Sequence, residues 1–285
     1  MVVNHLSCGT LCPIGALLLT GHGGLLAPTH LVCHCLLIET VDGLVLVDTG
    51  IGTKDIENPV ERLGRVPMNM FRVEQDITRT ALHQLTALGY NPRDVRHIVL
   101  THLDFDHAGG LPDFPWAKIH VLDVEHEAAM NPQSLIERNR YSAAQFEHGP
   151  DWALHTVSQG EKWFGFENVR ALPATGPDVL LVPLFGHTRG HCGVAVPTQD
   201  GWLLHAGDAA FHHQELDPVE PDAPIGIKMI EQIMKDDSDA IFSNQALLRQ
   251  LIHEQDGRVR VICSHDTKMF EESPATVPVG NAYVS

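Results

Sequence analysis

The sequence predicts an α/β fold, more narrowly α+β, in which a mixed sheet or two stacked sheets are flanked by helices. Three observations predict it. Short apolar, β-rich runs alternate coarsely with helical stretches along the 285 residues. The first two of these runs are joined as a hairpin, so the strands cannot all be parallel. No Gly-x-Gly-x-x-Gly follows a strand, which removes support for a dinucleotide-binding arrangement. A hydrophobic fraction of 44% can bury a sizeable core, and no repeat or low-complexity tract divides the chain.

Residues 31–40 and 43–49 are the apolar runs of that hairpin, joined at Val41-Asp42-Gly43. The second ends in Val47-Asp48-Thr49-Gly50, a strand entering a tight loop. Residues 73–88 carry Ile77, Ala81, Leu85 and Leu88 on one face and close with Gly89, as an amphipathic helix would. Residues 96–101 form a short buried strand ending in Thr101-His102, and 118–122 another, followed by a helix over 124–130. Residues 131–176 are less periodic and hold Tyr141, Phe146, Trp152, Trp163, Phe164 and Phe166. They read as a helical and aromatic insertion in a single domain spanning 1–285. Strands return at 179–184, 193–197 and 202–206, then helices at 225–235 and 239–254. A last strand at 258–263 runs into Ser264-His265-Asp266.

Lys and Arg number 19 against 36 Asp and Glu, a formal charge of −17, and there are 19 His. This acidity argues against a nucleic-acid partner, which needs a basic face, and against docking on an anionic membrane. No Lys or Arg precedes Lys54, so the apolar stretch 14–26 lacks the positive flank of a signal peptide. Gly15, Gly21, Gly23 and Gly24 interrupt it, and it is too short to span a bilayer. The six cysteines, Cys8, Cys12, Cys33, Cys35, Cys192 and Cys263, contain no Cys-x-x-Cys pair. Buried, reduced thiols in a cytoplasmic protein are expected.

The surplus of His has a pattern. Thr101-His102-Leu103-Asp104-Phe105-Asp106-His107 packs four potential ligands into six residues directly after a strand. Gly186-His187-Thr188-Arg189-Gly190-His191, Gly207-Asp208 and Ser264-His265-Asp266 follow three further strands. Loops at strand ends are where a rigid scaffold presents chemistry. A single His there reads as a surface turn, but four strand ends bearing ligand-type residues do not. The densest of them has no Lys or Arg to neutralise its acids, and a divalent cation would do so.

These motifs resemble the metallo-β-lactamase superfamily, whose signature is His-x-His-x-Asp-His followed by a distant His, a bridging Asp and a final His. Here the pattern reads His102-x-Asp104-x-Asp106-His107, then His187, Asp208 and His265, over roughly residues 30–270. The resemblance implies an αββα sandwich of two mixed β-sheets with a dinuclear metal site at one edge. His102, Asp104 and His187 would hold the first ion, Asp106, His107 and His265 the second, and Asp208 would bridge them. Asp48 matches a supporting Asp that is not itself a ligand. Such a pair of ions lowers the pKa of a shared water, producing a bridging hydroxide that attacks a carbonyl, while Asp106 is placed to move a proton to the leaving group.

Position 104 departs from that pattern, with Asp where most zinc members have His. The harder carboxylate makes Mn²⁺ or Fe²⁺ more competitive, although Zn²⁺ remains the expected metal. The motifs look most like the N-acyl homoserine lactonase branch, which implies opening of a lactone or carboxylic ester and a quorum-quenching activity. Phe211 stands where those lactonases carry a Tyr that binds the substrate carbonyl, so its role would fall to Tyr141, His212 or His22, or be missing. His212 and His213 otherwise read as an exposed turn. Met68, Met70 and Phe71 form a candidate pocket wall in a loop. Arg189 reads as the partner of a local acid rather than of a substrate. The expectation is a hydrolase acting on a small molecule as a monomer or homodimer. A glyoxalase II-like thioester hydrolase and a non-catalytic metal-binding or sensing protein are the alternatives.

Overall fold

The computed structural model describes residues 2–158, 160–173 and 179–274. The chain runs β1 (Val3–Leu11), α1 (Ala16–Thr20), β2 (Leu31–Thr40) and β3 (Gly43–Val47), then the short helices α2 (Thr53–Glu57), α3 (Pro59–Leu63) and α4 (Arg65–Phe71). It continues through α5 (Ala81–Ala87), β4 (Val95–Val99), α6 (Phe105–Ala108), β5 (Lys118–Leu122), α7 (Asp123–Met130) and α8 (Leu135–Arg140). The strands β6 (Asp151–His155), β7 (Glu161–Trp163), β8 (Phe166–Ala171), β9 (Leu180–Pro183), β10 (Cys192–Thr198) and β11 (Gly201–His205) follow. Last come α9 (Ile225–Met234), α10 (Ser238–Glu254), β12 (Val259–Ile262) and α11 (Thr267–Glu271).

The strands form two six-stranded sheets, in the orders β1-β2-β3-β4-β5-β6 and β12-β11-β10-β9-β8-β7. Both are mixed. In the first, β1, β2 and β3 pair antiparallel and β3 to β6 parallel; in the second, only β11 and β12 are parallel. The period-2 alternation of β2 and β3 explains the layering. Leu36, Ile38, Val45 and Val47 point between the sheets, where they meet Leu181, Val194, Val196 and Leu203 of the second sheet. Cys35, Leu37, Leu44 and Leu46 point outward onto Ala81 and Leu85 of α5 and Ala128 of α7. On the opposite side Leu248 and Leu251 of α10 cover Val182, Leu204, Val259 and Val261. Helix, sheet, sheet and helix therefore stack as the αββα sandwich of the metallo-β-lactamase fold.

Three expectations need correction. The helix expected over 73–88 begins only at Ala81. Asp76 accepts from the Thr78 N–H and starts a separate turn at Ile77–Arg79, and Thr80 caps α5 by accepting from the His83 N–H. Such side chains compete with a continuous helix. The stretch read as an insertion at 131–176 contributes β6, which pairs with β5, and β7 and β8, which extend the second sheet. These strands are short and half exposed, so they lack the apolar runs that mark the others; residues 159 and 174–176 lie outside the described residues. Met68, Met70 and Phe71 belong to a helix, α4, not a loop. Among the described residues no helix is long and apolar enough to cross a membrane.

Leu46 is fully buried between the first sheet and its helices. Leu46→Ala is expected to cost about 2–5 kcal/mol in urea unfolding, and a loss below about 1 kcal/mol would contradict this account of the core.

Candidate metal centre

The carboxyl ends of β3, β4, β9, β11 and β12 open into the loops that carry the candidate residues. Asp48 follows β3 in the left-handed region (φ 57), where Asp is tolerated better than most residues. From there its carboxylate accepts from the Thr101 N–H (2.8 Å), the Thr101 hydroxyl (2.7 Å) and His107 Nδ1 (2.9 Å). It thereby joins the β3 loop to the loop after β4. Gly207 (φ +57) precedes Asp208, and a Cβ there would lie 2.5 Å from His191 Nε2. Only glycine lets the β11 loop pass so close to that ring.

His102, Asp104, Asp106, His107, His187, Asp208 and His265 converge into one buried cluster. His187 Nε2 lies 3.1 Å and His102 Nε2 3.5 Å from Asp104 Oδ2. Asp106 Oδ2 lies 3.5 Å from His265 Nε2, and Asp106 Oδ1 4.0 Å from His107 Nε2. Asp208 stands between the two groups. Its Oδ2 is 3.3 Å from His265 Nε2, 3.5 Å from His187 Nε2 and 3.8 Å from His102 Nε2, while its Oδ1 is 3.4 Å from His107 Nε2.

The donor set fits cations. His107 donates Nδ1–H to Asp48, and His265 donates Nδ1–H to the Val32 carbonyl (2.8 Å). Both rings therefore turn an Nε2 lone pair inward, as metal-ligating imidazoles do. The buried atoms His102 Nε2, His107 Nε2 and Asp208 Oδ1 have no hydrogen-bond partner among the described residues. Leaving such groups unpaired is costly unless something else satisfies them.

Protonation tells the same story. Burial pushes Asp208 up, but His265 and His107 outweigh it and hold the carboxyl well below its usual range. Burial likewise raises Asp104, and Arg140 followed by His102 pulls it well below normal. Asp106 stays raised because burial dominates. Burial lowers His107, yet the charges of Asp208 and Asp106 carry it well above its ordinary value, and Asp208 raises His265 in the same way. His102 is driven down to about 4 by burial and by His107. With no cation, protons on imidazoles balance the buried carboxylates; cations would displace them.

Several positioning groups carried no signal in the sequence. Glu125, fully buried on α7, accepts from the Leu103 N–H (2.9 Å), the Thr188 hydroxyl (2.6 Å) and the Gly190 N–H (3.1 Å), tying two of the loops together. His191 donates to the Leu184 carbonyl (2.9 Å) and accepts from the Asp208 N–H (2.9 Å), which fixes its tautomer and the Asp208 backbone. Arg140, at the end of α8, donates to the carbonyls of His187 (2.8 Å) and Met234. Cys33 sits beside Asp106 and His265. His212, His213 and Asp266 also group together, but Asp266 is already engaged by the His213 N–H, His213 Nδ1 and the Met269 N–H.

A cavity of about 260 Å³ opens onto Asp104, Asp106, His187, Asp208 and His265. Val66, Met70 and Phe71 of α4, Leu135 and Ile136 of α8, and Ile227, Ile230, Ile233 and Met234 of α9 wall it, together with Phe105 and Phe211. Met68 does not line it; that side chain packs against the cluster of Leu11, Ile51 and Leu63. Tyr141 does not line it either, being buried in the first core. His22 and His212 face a neighbouring cavity. Apart from the five cluster residues, Asn139 and Arg140 are the polar residues on the main cavity's wall among the described residues. Arg189 pairs with Glu137 (2.6 Å), the local acid anticipated for it.

The fold and this histidine- and carboxylate-bearing edge define a metallo-hydrolase. The chain belongs to the metallo-beta-lactamase superfamily, whose family profile matches residues 28–250. A Mycobacterium tuberculosis protein named as a probable metallo-hydrolase is 41% identical over 271 residues, covering 94% of this chain and 81% of that one. An N-acyl homoserine lactonase of Bacillus thuringiensis is 26% identical over 221 residues, covering 75% and 80%. A solved N-acyl homoserine lactone hydrolase with N-hexanoyl-L-homoserine at its catalytic metal centre superposes with a TM-score of 0.70 at 21% identity, covering 96% of each chain.

Glu215 yields a pH-dependence that can be measured. Its carboxyl accepts from the Phe211 and His212 N–H groups (2.8 and 3.0 Å) and so holds the loop after Asp208. Burial first, and then Glu231, pushes its pKa up to about 7. The folded state therefore favours the neutral acid. That stabilisation is full below the unfolded value of about 4.3 and is lost as pH rises through the folded one. Between about pH 4 and pH 7, the interval bounded by those two values, the urea midpoint of the wild type should fall relative to that of Glu215→Gln. Parallel profiles would contradict the assignment.

Proposed function

We propose that the protein is a dinuclear metal-dependent hydrolase that opens a lactone or a carboxylic ester carrying an apolar acyl group. In this reading His102, Asp104 and His187 hold one divalent ion and Asp106, His107 and His265 a second, with Asp208 between them. Zn²⁺ is the preferred metal, with Mn²⁺ and Fe²⁺ accommodated by the carboxylate at 104. When bound, the ions supply Lewis acidity, lowering the pKa of a shared water towards neutrality and polarising the substrate carbonyl.

The observation that carries the reading is the convergence of the orphaned His102 Nε2, His107 Nε2 and Asp208 Oδ1 in a buried cluster onto which an apolar cavity opens. The chain's own residues have distinct tasks. The α4, α8 and α9 walls bind the acyl group and exclude water. Asp48, by accepting from His107 Nδ1, keeps that imidazole in the tautomer that faces the cluster. Asp106 takes up the proton that the attacking water releases and passes it to the departing alkoxide as the acyl–oxygen bond breaks. The products are the hydroxy acid of a lactone, or an acid and an alcohol. An apolar wall suits N-acyl homoserine lactones, and so quorum quenching, better than an anionic glutathione thioester.

Purified protein should carry close to two divalent ions per chain by elemental analysis and lose hydrolysis of a lactone and ester panel on chelation. At most one ion, with chelator-resistant activity, would overturn the reading. Asp208→Ala should abolish turnover with an unchanged circular dichroism spectrum. Asp48→Asn should weaken metal binding by about 10–100-fold in equilibrium dialysis.

A further inference from the structure

Position 104 carries a carboxylate where the resembled pattern has a neutral imidazole. A third buried carboxylate is a large perturbation, because an unpaired charge in the interior is strongly destabilising. Arg140 answers it. Arg140 is only 5% exposed, and its Nε lies 3.5 Å from Asp104 Oδ1. Neither Arg140 Nε nor Asp104 Oδ1 has a hydrogen-bond partner among the described residues, so the two face each other alone. The other ends of the fork are fixed, Nη1 donating to the His187 carbonyl (2.8 Å) and Nη2 to that of Met234. Asp104 therefore has one oxygen turned to Arg140 and the other, Oδ2, turned to His102 and His187.

We infer that Asp104 and Arg140 act as one unit, a carboxylate and its counter-ion that together replace a neutral ligand, with Arg140 as the positioning residue. The inference rests on the metal reading above. The guanidinium cancels the charge that Asp104 adds, leaving the cluster with the charge a His at 104 would have given it. It also fixes which carboxylate oxygen faces the cavity floor. By holding the His187 carbonyl, it sets the neighbouring ligand loop against the same side chain. The pairing is legible only in three dimensions, since the two residues are 36 positions apart and Arg140 lies in the stretch read as an insertion.

A double-mutant cycle tests this, with wild type, Arg140→Met, Asp104→His and the double variant compared by equilibrium dialysis against Co²⁺ and by the Co²⁺ ligand-field spectrum. Arg140→Met is expected to weaken uptake of the first ion by about 10–100-fold. Asp104→His alone is also expected to bind more weakly than wild type, although it installs the usual ligand, because it meets an uncompensated guanidinium. The double variant should return towards wild-type affinity and show a nitrogen-richer Co²⁺ spectrum. Equal losses from Arg140→Met in both backgrounds would reduce Arg140 to a structural clamp and overturn the pairing. If Arg140→Met fails to fold, Asp104→His alone decides: binding as tight as wild type overturns the inference. A wild-type chain that takes up no Co²⁺ instead fails the metal reading itself, and the pairing with it.

Discussion

Three carboxylates, Asp104, Asp106 and Asp208, are buried within one cluster at the edge of the sandwich, and the structure around them is organised by their charge. In a low-dielectric site like charges cannot sit together without compensation. The compensation present is one guanidinium, from Arg140, and the imidazoles of His107 and His265, whose proton affinity is raised by the acids they face. An arrangement that must borrow protons to stay neutral is one that cations fill with a gain.

The scaffold keeps those charges apart from water and at fixed separations. Parallel pairing of β3 with β4 and of β11 with β12 brings their carboxyl ends to the same edge of the two sheets. Buried hydrogen bonds then lock the loops to one another: Asp48 joins the first two, Glu125 joins the His102 loop to the His187 loop, and His191 holds the Asp208 backbone. Each is a polar group spent inside the protein, and each is satisfied, which is the condition for a buried polar network to rigidify rather than weaken a core. Above the cluster, α4, α8 and α9 present an apolar face to the cavity.

Much of this was legible in one dimension because it is local in sequence. The hairpin, the alternation of β2 and β3, and the motif His102-x-Asp104-x-Asp106-His107 are all written within a few residues. Strand ends bearing His187, Asp208 and His265 could be paired with that motif because each follows an apolar run. What escaped depends on contacts between distant segments. Glu125 looks like any solvated helix acid until α7 packs beneath two loops, and Arg140 looks like a charge in an irregular stretch. Tyr141 and Met68 were plausible cavity residues by type, yet their side chains point into neighbouring cores. The strands β6 to β8 escaped because they lie at or next to a sheet edge, which leaves about half of each strand exposed.

The central claim is that the buried cluster exists to hold two cations, and anomalous diffraction from crystals of the metal-loaded protein tests it most directly. Data collected on either side of the metal's absorption edge should give two peaks. One is expected among His102, Asp104 and His187 and one among Asp106, His107 and His265, with Asp208 between them. No anomalous density at the cluster, or density confined to other residues such as His212 and His213, would contradict it.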